Sequence, residues 1–133
     1  MKSIEVVAGV LTRTQNGAVE FFATARGYGD YKGFWEFPGG KMEAGETREQ
    51  ALVRELREEL AVQVEVGDFI CTVEHDYPNF HLTMHCLYCS MVGGELTLLE
   101  HEAARWVPLG DLDSLKWCPA DIKVVENLKK CYI

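Results

Sequence analysis

Seven glutamates lie between residues 36 and 60, most of them behind a Pro-Gly-Gly turn at positions 38–40. Three of them, Glu55, Glu58 and Glu59, have the spacing of side chains that share one side of a helix. Hard divalent cations such as Mg²⁺ prefer clustered oxygen ligands, typically a few carboxylates together with substrate phosphates. The segment is therefore either an acidic face in contact with water or one half of a cation site.

A helix that begins at Thr47 and ends at about Leu60 or Ala61 is predicted to carry these carboxylates. Its start is marked by a capping box, in which the Thr47 hydroxyl and the Gln50 amide satisfy free backbone N–H groups. With about 100° between successive residues, one arc of the helix holds the apolar side chains of Leu52, Val53, Leu56 and Leu60. The three glutamates fall on the adjoining arc, beside the core rather than opposite it.

The cost of placing like charges in this way favours the cation site. Like charges at i,i+3 and i,i+4 destabilise a helix by about a few tenths of a kcal/mol per pair, and desolvation beside a core adds to that cost. Arg54 offsets only part of the repulsion, because it reaches Glu58 at i+4. A cation held by the three carboxylates would compensate for the rest.

The rest of the chain is predicted to be mostly β-structure around this helix. Hairpin or turn signals occur at residues 15–17, which read Gln-Asn-Gly, and at the two glycines of positions 93–94. Strands are predicted at residues 4–11, 19–25, 34–37, 69–75, 81–91 and 104–107, and a terminal helix at residues 121–130. Strands around one strong central helix suggest a mixed sheet flanked by helices, in the α/β or α+β class.

Length and composition indicate one domain that spans residues 1–133. The net charge of −8 argues against a nucleic acid polymer as partner, because such a partner requires a basic surface. The five cysteines are an odd number and do not suggest a disulfide framework. The sequence shows neither a membrane span nor a secretory signal, so we expect a cytoplasmic protein. We also expect a monomer or homodimer with a small-molecule partner.

The segment from Gly40 to Val62 resembles the Nudix box, written G-x5-E-x7-R-E-U-x-E-E-x-G-U, in which U is aliphatic. Gly40 is followed by Glu46 after five residues, by Arg54-Glu55-Leu56-x-Glu58-Glu59 after seven more, and by Val62 at the end. One position departs from the motif, since Ala61 stands where the motif has glycine. If a left-handed conformation is required there, alanine costs about 1 kcal/mol. The alternative is that Ala61 lengthens the helix slightly.

Beyond the box, the length and the order of elements resemble the MutT-like branch of this family. The resemblance implies an α/β/α sandwich with a central mixed β-sheet, a nucleotide substrate, and a Mg²⁺ cofactor for which Mn²⁺ could substitute. The implied metal ligands are the Gly39 carbonyl, Glu55, Glu58, Glu59 and an acidic residue of a later loop. Glu100 is the best match for that later residue, and Glu102 is the second.

The implied activity is hydrolysis of a nucleoside triphosphate to a nucleoside monophosphate and pyrophosphate. Metal ions would neutralise the phosphate chain and activate a water, and either Glu58 or Glu100 would take the proton. Arg54 would orient the glutamates through hydrogen bonds, and Glu46 would brace the loop.

Five residues are the candidates for contact with the substrate. Lys41 and Arg26 would offset phosphate charge, although the alternative for Arg26 is an exposed loop arginine. The base pocket is expected beside Phe37, Tyr77 and the segment that contains Asp121. The Asp121 carboxylate could accept N–H groups of guanine or cytosine, or it could cap a helix or pair with its dipole. Tyr77 would stack on the base or cover the sheet.

The resemblance leaves two substrate classes open, namely oxidised purine nucleotides such as 8-oxo-dGTP, and CTP or dCTP. We favour a MutT-like hydrolase of mixed or oxidised nucleotide preference, which would sanitise the nucleotide pool. One alternative is a Nudix hydrolase of another nucleoside diphosphate derivative, and another is a module that senses a nucleotide without turning it over. The intact Arg54 and Glu55 to Glu59 pattern disfavours the sensor, because binding alone does not need clustered like charges.

Overall fold

The computed structural model describes residues 2–97 and 101–132, except for the side chains of His101 and Glu102. In this part of the chain, the fold comprises one β-sheet and two α-helices. The strands are β1 (Lys2–Gln15), β2 (Ala18–Arg26), β3 (Trp35–Glu36), β4 (Gly39–Lys41), β5 (Val62–Tyr77), β6 (Phe80–Gly94) and β7 (His101–Pro108). The helices are α1 (Arg48–Leu60) and α2 (Pro119–Cys131), and a 3₁₀ turn at Leu109–Ser114 precedes α2.

The sheet is mixed, because its central strand has both parallel and antiparallel neighbours. The hydrogen-bonded order is β3-β2-β1-β6-β5, with β4 also paired to β1 and β7 to β2. Strand β1 runs parallel to β6 and antiparallel to β2 and β4. The β1–β4 register sets Gly39 opposite Ala8 and Gly40 opposite Val7, so the Pro-Gly-Gly segment lies against the central strand.

Two apolar cores lie on opposite faces of the sheet. On one face, β1 and α1 contribute Val7, Leu11, Leu52, Leu56 and Leu60. On the other face, β1 and α2 contribute Ala8, Val10, Val124, Val125 and Leu128. A Cβ on Gly9 would lie 3.1 to 3.2 Å from side-chain atoms of α1, so the glycine lets this helix approach closely. The predicted α/β/α sandwich with a central mixed sheet is confirmed.

The first predicted turn is confirmed, and the second is wrong. Asn16 and Gly17 take positive φ values of 53° and 79°, as a two-residue hairpin turn requires. Gly93 and Gly94 instead lie in β6, where they pair with the start of β5. Hydrogen bonding along this long antiparallel pair overrides the local preference of glycine for turns.

Short elements were missed, and the long strands extend further than predicted. Strand β4 has only three residues and the 3₁₀ turn has six, so neither shows a hydrophobic period in the sequence. The predicted strand at residues 34–37 is reduced to the two residues of β3. Neither of the described helices is long and apolar enough to cross a membrane.

Candidate active site

Local signals set both ends of α1. The Thr47 hydroxyl accepts the Gln50 N–H at 3.1 Å, and the Gln50 side-chain oxygen accepts the Thr47 N–H at 3.0 Å, so the predicted capping box is present. At the other end, Ala61 is left-handed with φ 55°, and its N–H donates to the Arg57 carbonyl at 3.0 Å. Ala61 therefore takes the conformation expected of the motif glycine and does not lengthen the helix.

The three α1 glutamates differ in their exposure to solvent. Glu59 is buried, with 8% of its surface exposed, and it lines a cavity beside the sheet. The Glu55 side chain is 13% exposed and the Glu58 side chain is 56% exposed. A solvated acidic face would leave all three in water. Here the carboxylates extend from the edge of the core to the surface.

The two glycines of the Pro-Gly-Gly segment bring the main chain against these carboxylates. A Cβ on Gly40 would lie 2.3 Å from a Glu55 carboxylate oxygen. A Cβ on Gly39 would lie 1.9 Å from the Val7 carbonyl oxygen. The Gly39 contact is with main-chain atoms of β1, so a side chain there would force the two strands apart, whereas at Gly40 the Glu55 carboxylate would have to move.

The residues at this point fit a divalent cation. Gly39, Gly40 and Glu59 line one cavity, and the Glu55 carboxylate touches Gly40. These residues offer carboxylate and carbonyl oxygens, which are the ligands preferred by Mg²⁺ and Mn²⁺.

Arg54 is the centre of a hydrogen-bond network that joins α1 to the loop before it. Its Nε and Nη2 donate to the two Glu46 carboxylate oxygens at 2.7 and 2.9 Å, so this pair is bidentate. Its Nη1 donates to Glu55 at 2.9 Å and to Glu58 at 3.2 Å, and Nη2 also donates to the Lys41 carbonyl at 2.9 Å. The Arg54 hydrogen bonds lower the pKa of Glu46 to about 2.

A cavity of about 440 Å³ extends from Glu59 of α1 to the start of α2. The predicted site residues that line it are Arg26, Phe37, Gly39, Lys41, Glu59, Tyr77 and Asp121. The remaining described ones, Glu46, Arg54, Glu55 and Glu58, lie in or just before α1 and do not line the cavity. One space therefore joins the candidate metal site to the candidate base site.

Asp121 lies at the α2 end of this cavity and is 4% exposed. Its Oδ1 accepts the Phe37 N–H at 3.0 Å. Burial raises the pKa of this carboxyl group to about 8, against the opposing effect of the Phe37 hydrogen bond. Asp121 is not the N-cap of α2, which is Cys118 and has no side-chain cap bond. The aspartate instead connects α2 to the segment after β3, although its place in the first turn also suits the helix dipole.

Phe37 and Tyr77 both line the cavity, and other rings of the protein contact them. Phe37 is buried and stacks on Trp117, with centroids 4.8 Å apart and planes at 19°. Tyr77 stacks on Phe80 at 5.0 Å and 22°. The Tyr77 hydroxyl oxygen accepts the Ala120 N–H at 3.2 Å. Because one face of each ring is already covered, only the remaining face or edge can contact a base.

Glu36 lines the cavity, and the sequence analysis did not select it. Arg26 Nε donates to Glu36 Oε1 at 3.1 Å, so this arginine connects β2 to β3. Burial raises the pKa of Glu36, and the Arg26 charge opposes that effect. Ligand atoms of Glu36, Cys118 and Asp121 lie within 4.8 Å of one another. Glu36 had no signal in the sequence, because its neighbours in space come from distant parts of the chain.

Two predicted acidic residues cannot be placed in this site. Glu100 lies outside the described residues, and so does the side chain of Glu102. Lys41 is exposed in β4 and lines the cavity. Of the predicted metal ligands, Gly39 and Glu59 line the cavity, Glu55 lies beside Gly40, and Glu58 is joined to Glu55 through Arg54.

Comparison with known sequences agrees with the motif on α1. The profile of the family described as the NUDIX domain matches residues 3–128. The chain is 36% identical over 126 residues to the CTP pyrophosphohydrolase of Escherichia coli (strain K12), which covers 95% of this chain and 91% of that protein. It is 32% identical over 131 residues to the 8-oxo-dGTP diphosphatase of the same strain, which covers 98% of this chain and 99% of that protein.

Comparison with solved structures leads to the same family. The solution structure of the E. coli ORF135 protein has a TM-score of 0.83 and 33% identity, over 99% of this chain and 92% of that one. The crystal structure of a MutT NUDIX hydrolase from Burkholderia pseudomallei has a TM-score of 0.83 and 26% identity, over 96% and 99%. With the family profile covering nearly its whole length, the chain belongs to the Nudix family of hydrolases.

Proposed function

We propose that the protein hydrolyses a nucleoside triphosphate to a nucleoside monophosphate and pyrophosphate, with Mg²⁺ as cofactor. The observation that carries this proposal is the shared cavity, which Glu59 lines at one end and Asp121 at the other. A ligand that reaches both ends needs a cation-binding group and a hydrogen-bonding ring, as a nucleotide has. A volume of about 440 Å³ is suitable for a ligand of this kind.

The end of the cavity near Glu59 is called the phosphate end, and the end near Asp121 the base end. At the phosphate end, carboxylates and one carbonyl group would hold the ion. The residues that would hold it are Gly39, Glu55, Glu58, Glu59 and Glu100. When bound, the ion neutralises phosphate charge and lowers the pKa of a coordinated water. Either Glu58 or Glu100 would accept the proton of the attacking water. The Glu58 side chain is 56% exposed, so its carboxylate is accessible to solvent.

Three basic residues would assist the reaction in different ways. Arg54 acts through other residues, since its hydrogen bonds hold Glu46, Glu55 and the Lys41 carbonyl in place. The Lys41 side chain, which is exposed at the cavity, would offset the charge that develops on the phosphates. The Arg26 guanidinium donates a hydrogen bond to Glu36 near the base end, so Arg26 would support the base pocket as well as offset phosphate charge.

At the base end of the cavity, near Asp121, the carboxyl groups of Asp121 and Glu36 each offer an accepting oxygen, in the protonated as well as the ionised form, so they favour a base edge that presents N–H donors. Guanine presents N1–H and an amino group, and cytosine presents an amino group. This agrees with both substrate classes that the relatives' names contain, 8-oxo-dGTP and CTP. We propose an oxidised or mixed nucleotide preference, and a role in sanitising the nucleotide pool.

Product analysis with a nucleotide panel tests this function. The purified protein is incubated with Mg²⁺ and canonical or oxidised (deoxy)nucleoside triphosphates, and the products are separated by anion exchange. We expect monophosphate and pyrophosphate, loss of turnover with a chelator, and recovery with Mg²⁺ or Mn²⁺. Release of orthophosphate would contradict the assigned bond cleavage.

The same panel separates the alternatives. Nucleoside diphosphate derivatives, such as sugar nucleotides and dinucleotide polyphosphates, are included as competing substrates. Faster turnover of one of these would favour the other Nudix hydrolase activity. Binding of a nucleotide without turnover, measured by calorimetry, would favour a sensing module.

A further inference from the structure

The first turn of α2 lacks a side-chain cap and uses Tyr77 in its place. The N-cap residue Cys118 makes no side-chain cap bond, and Pro119, which comes next, has no N–H group. The Asp121 N–H donates to the Cys118 carbonyl at 2.9 Å. The Ala120 N–H donates to the Tyr77 hydroxyl oxygen at 3.2 Å. The tyrosine thus satisfies a backbone donor that helix starts leave without an intrahelical partner.

Packing of the Tyr77 ring fixes the position of its hydroxyl group. The ring stacks on Phe80 and makes edge contacts with Tyr31 at 5.7 Å and with His75 at 4.5 Å. Tyr77 is also the last residue of β5, so its main chain is held by the sheet. The hydroxyl is therefore a fixed acceptor for α2.

Asp121 comes directly after Ala120, and both residues are almost completely buried, at 4% and 1% exposed. The Asp121 carboxyl is held at a second point by the Phe37 N–H, at 3.0 Å. The position of this carboxyl group in the cavity is therefore set by two hydrogen bonds. One joins the Ala120 N–H to Tyr77, and the other joins the Asp121 side chain to the Phe37 N–H. Loss of the hydrogen bond from the Ala120 N–H to Tyr77 would let the start of α2 shift, because a buried N–H without a partner is destabilising.

We propose that Tyr77 is a positioning residue for base selection, whose hydroxyl fixes the first turn of α2 and thereby the Asp121 carboxyl that reads the base. This inference rests on the proposed function. It assigns Tyr77 a role other than stacking on the base. Burial raises the pKa of Tyr77 to about 12, so the hydroxyl stays protonated at neutral pH and the effect should not vary with pH there.

Tyr77→Phe tests the proposal, because it keeps the ring and removes only the hydroxyl. We expect faster hydrogen–deuterium exchange at the Ala120 amide, measured by NMR. The ratio of KM values between disfavoured and preferred nucleotides should fall by roughly three- to tenfold, the range for loss of one hydrogen bond, with kcat nearly unchanged. The matched control is Tyr132→Phe, which removes a hydroxyl at the other end of α2 and should leave this ratio unchanged.

A second comparison shows whether Tyr77 acts through Asp121. In an Asp121→Ala background, Tyr77→Phe should not change the KM ratio further, because residues that act as a unit are not additive. A further fall in the ratio would overturn the inference, and so would unchanged Ala120 exchange in the single variant. Reduced selectivity in Asp121→Ala with full selectivity in Tyr77→Phe would overturn the inference and leave the proposed function intact. The exchange measurement needs no turnover, so absence of hydrolysis by the unmodified protein would count against the proposed function separately.

Discussion

The two ends of the cavity are assembled in different ways. At the phosphate end, the Arg54 hydrogen bonds join residues that are at most 13 positions apart in the chain. At the base end, Asp121 bonds Phe37 across 84 positions, and Ala120 bonds Tyr77 across 43. The Arg54 contacts lie within α1 and the chain that leads from β4 into it, whereas contacts between β5, α2 and the segment after β3 form the second end.

The two ends also differ in their relation to water. At the phosphate end, Glu58 is half-exposed and Glu46 is held ionised by Arg54, with its pKa lowered to about 2. At the base end, burial raises the pKa of Asp121 to about 8. An exposed carboxylate such as Glu58 can change with little effect on the fold, while a buried carboxyl such as Asp121 is coupled to stability. Substitution of Glu58 should therefore alter turnover, and substitution of Asp121 should alter stability and selectivity.

The largest effect is expected from Glu58→Gln. Loss of a carboxylate that binds the ion or accepts a proton should lower kcat by about 10²- to 10⁴-fold. The unfolding free energy should change little, since the side chain is 56% exposed. Pyrophosphate release and denaturant unfolding are the two measurements. Glu49→Gln makes the same chemical change in the first turn of α1 and serves as the control. Near-normal turnover in Glu58→Gln would contradict the proposed role.

A smaller loss of activity is expected from Arg54→Lys. Lysine cannot reproduce the bidentate bond to Glu46 while also reaching Glu55, so the carboxylates should lose their orientation. Turnover or Mg²⁺ affinity should fall by about 10- to 100-fold, as when an outer partner of a metal ligand is removed. The assay is a Mg²⁺ titration of activity, with Arg57→Lys on the same helix as the control. An unchanged titration curve would show that the Arg54 network does not support the site.

Asp121→Asn should change how stability depends on pH. The folded carboxyl has a pKa of about 8, against an ordinary value of 3.8, so it binds its proton more tightly than in the unfolded chain. The contribution of this group to the free energy of unfolding is present at low pH and decreases as the pH rises from the ordinary pKa of 3.8 to the folded pKa of about 8. A tenfold change in proton affinity corresponds to about 1.4 kcal/mol, so the difference should reach a few kcal/mol.

Asparagine has no carboxyl proton to lose, and its side-chain oxygen can still accept the Phe37 N–H. Denaturant unfolding of both proteins across this pH window is the measurement. The unfolding free energy of the unmodified protein should fall relative to that of Asp121→Asn as pH rises. Parallel curves would show that Asp121 keeps an ordinary pKa in the folded protein.

The smallest effect is expected from Ala61→Gly. Ala61 has φ 55°, a conformation in which a Cβ costs about 1 kcal/mol, so glycine should stabilise the fold by about that amount. The Tm of thermal unfolding should rise by a few degrees, and kcat should not change. Ala104→Gly, in strand β7, is the control and should destabilise the fold. A lower Tm for Ala61→Gly would show that the left-handed residue is not strained.

The helix α1 at the phosphate end could be predicted in detail, because its determinants are local. The Thr47 capping box and the helical spacing of Glu55, Glu58 and Glu59 depend on residues within a few turns of one another, and α1 has the predicted ends. The reach of Arg54 to Glu58 is likewise a property of any helix. The conformation of Ala61 was left open by the sequence, because the residue at a helix C-terminus adapts to the packing of the next segment.

The base end could be predicted only in part. Phe37, Tyr77 and Asp121 were selected from the resemblance, and all three line the cavity. Their contacts were not foreseen, since Tyr77 bonds the main chain of α2 and Asp121 bonds the main chain after β3. Glu36 was not selected at all, because an acidic residue in a two-residue strand has no pattern that marks it as part of a pocket.

The sequence by itself determined the family, the central helix and the set of carboxylates that this helix carries. Helical periodicity and capping are properties of neighbouring residues, so they can be inferred before the chain is folded. Only the tertiary structure decided which carboxyl groups are buried, and that Phe37 bonds the Asp121 side chain while Tyr77 bonds the main chain of the preceding Ala120. Those properties depend on contacts between segments far apart in the chain. Desolvation, which raises the pKa of Asp121, exists only after these segments have packed together.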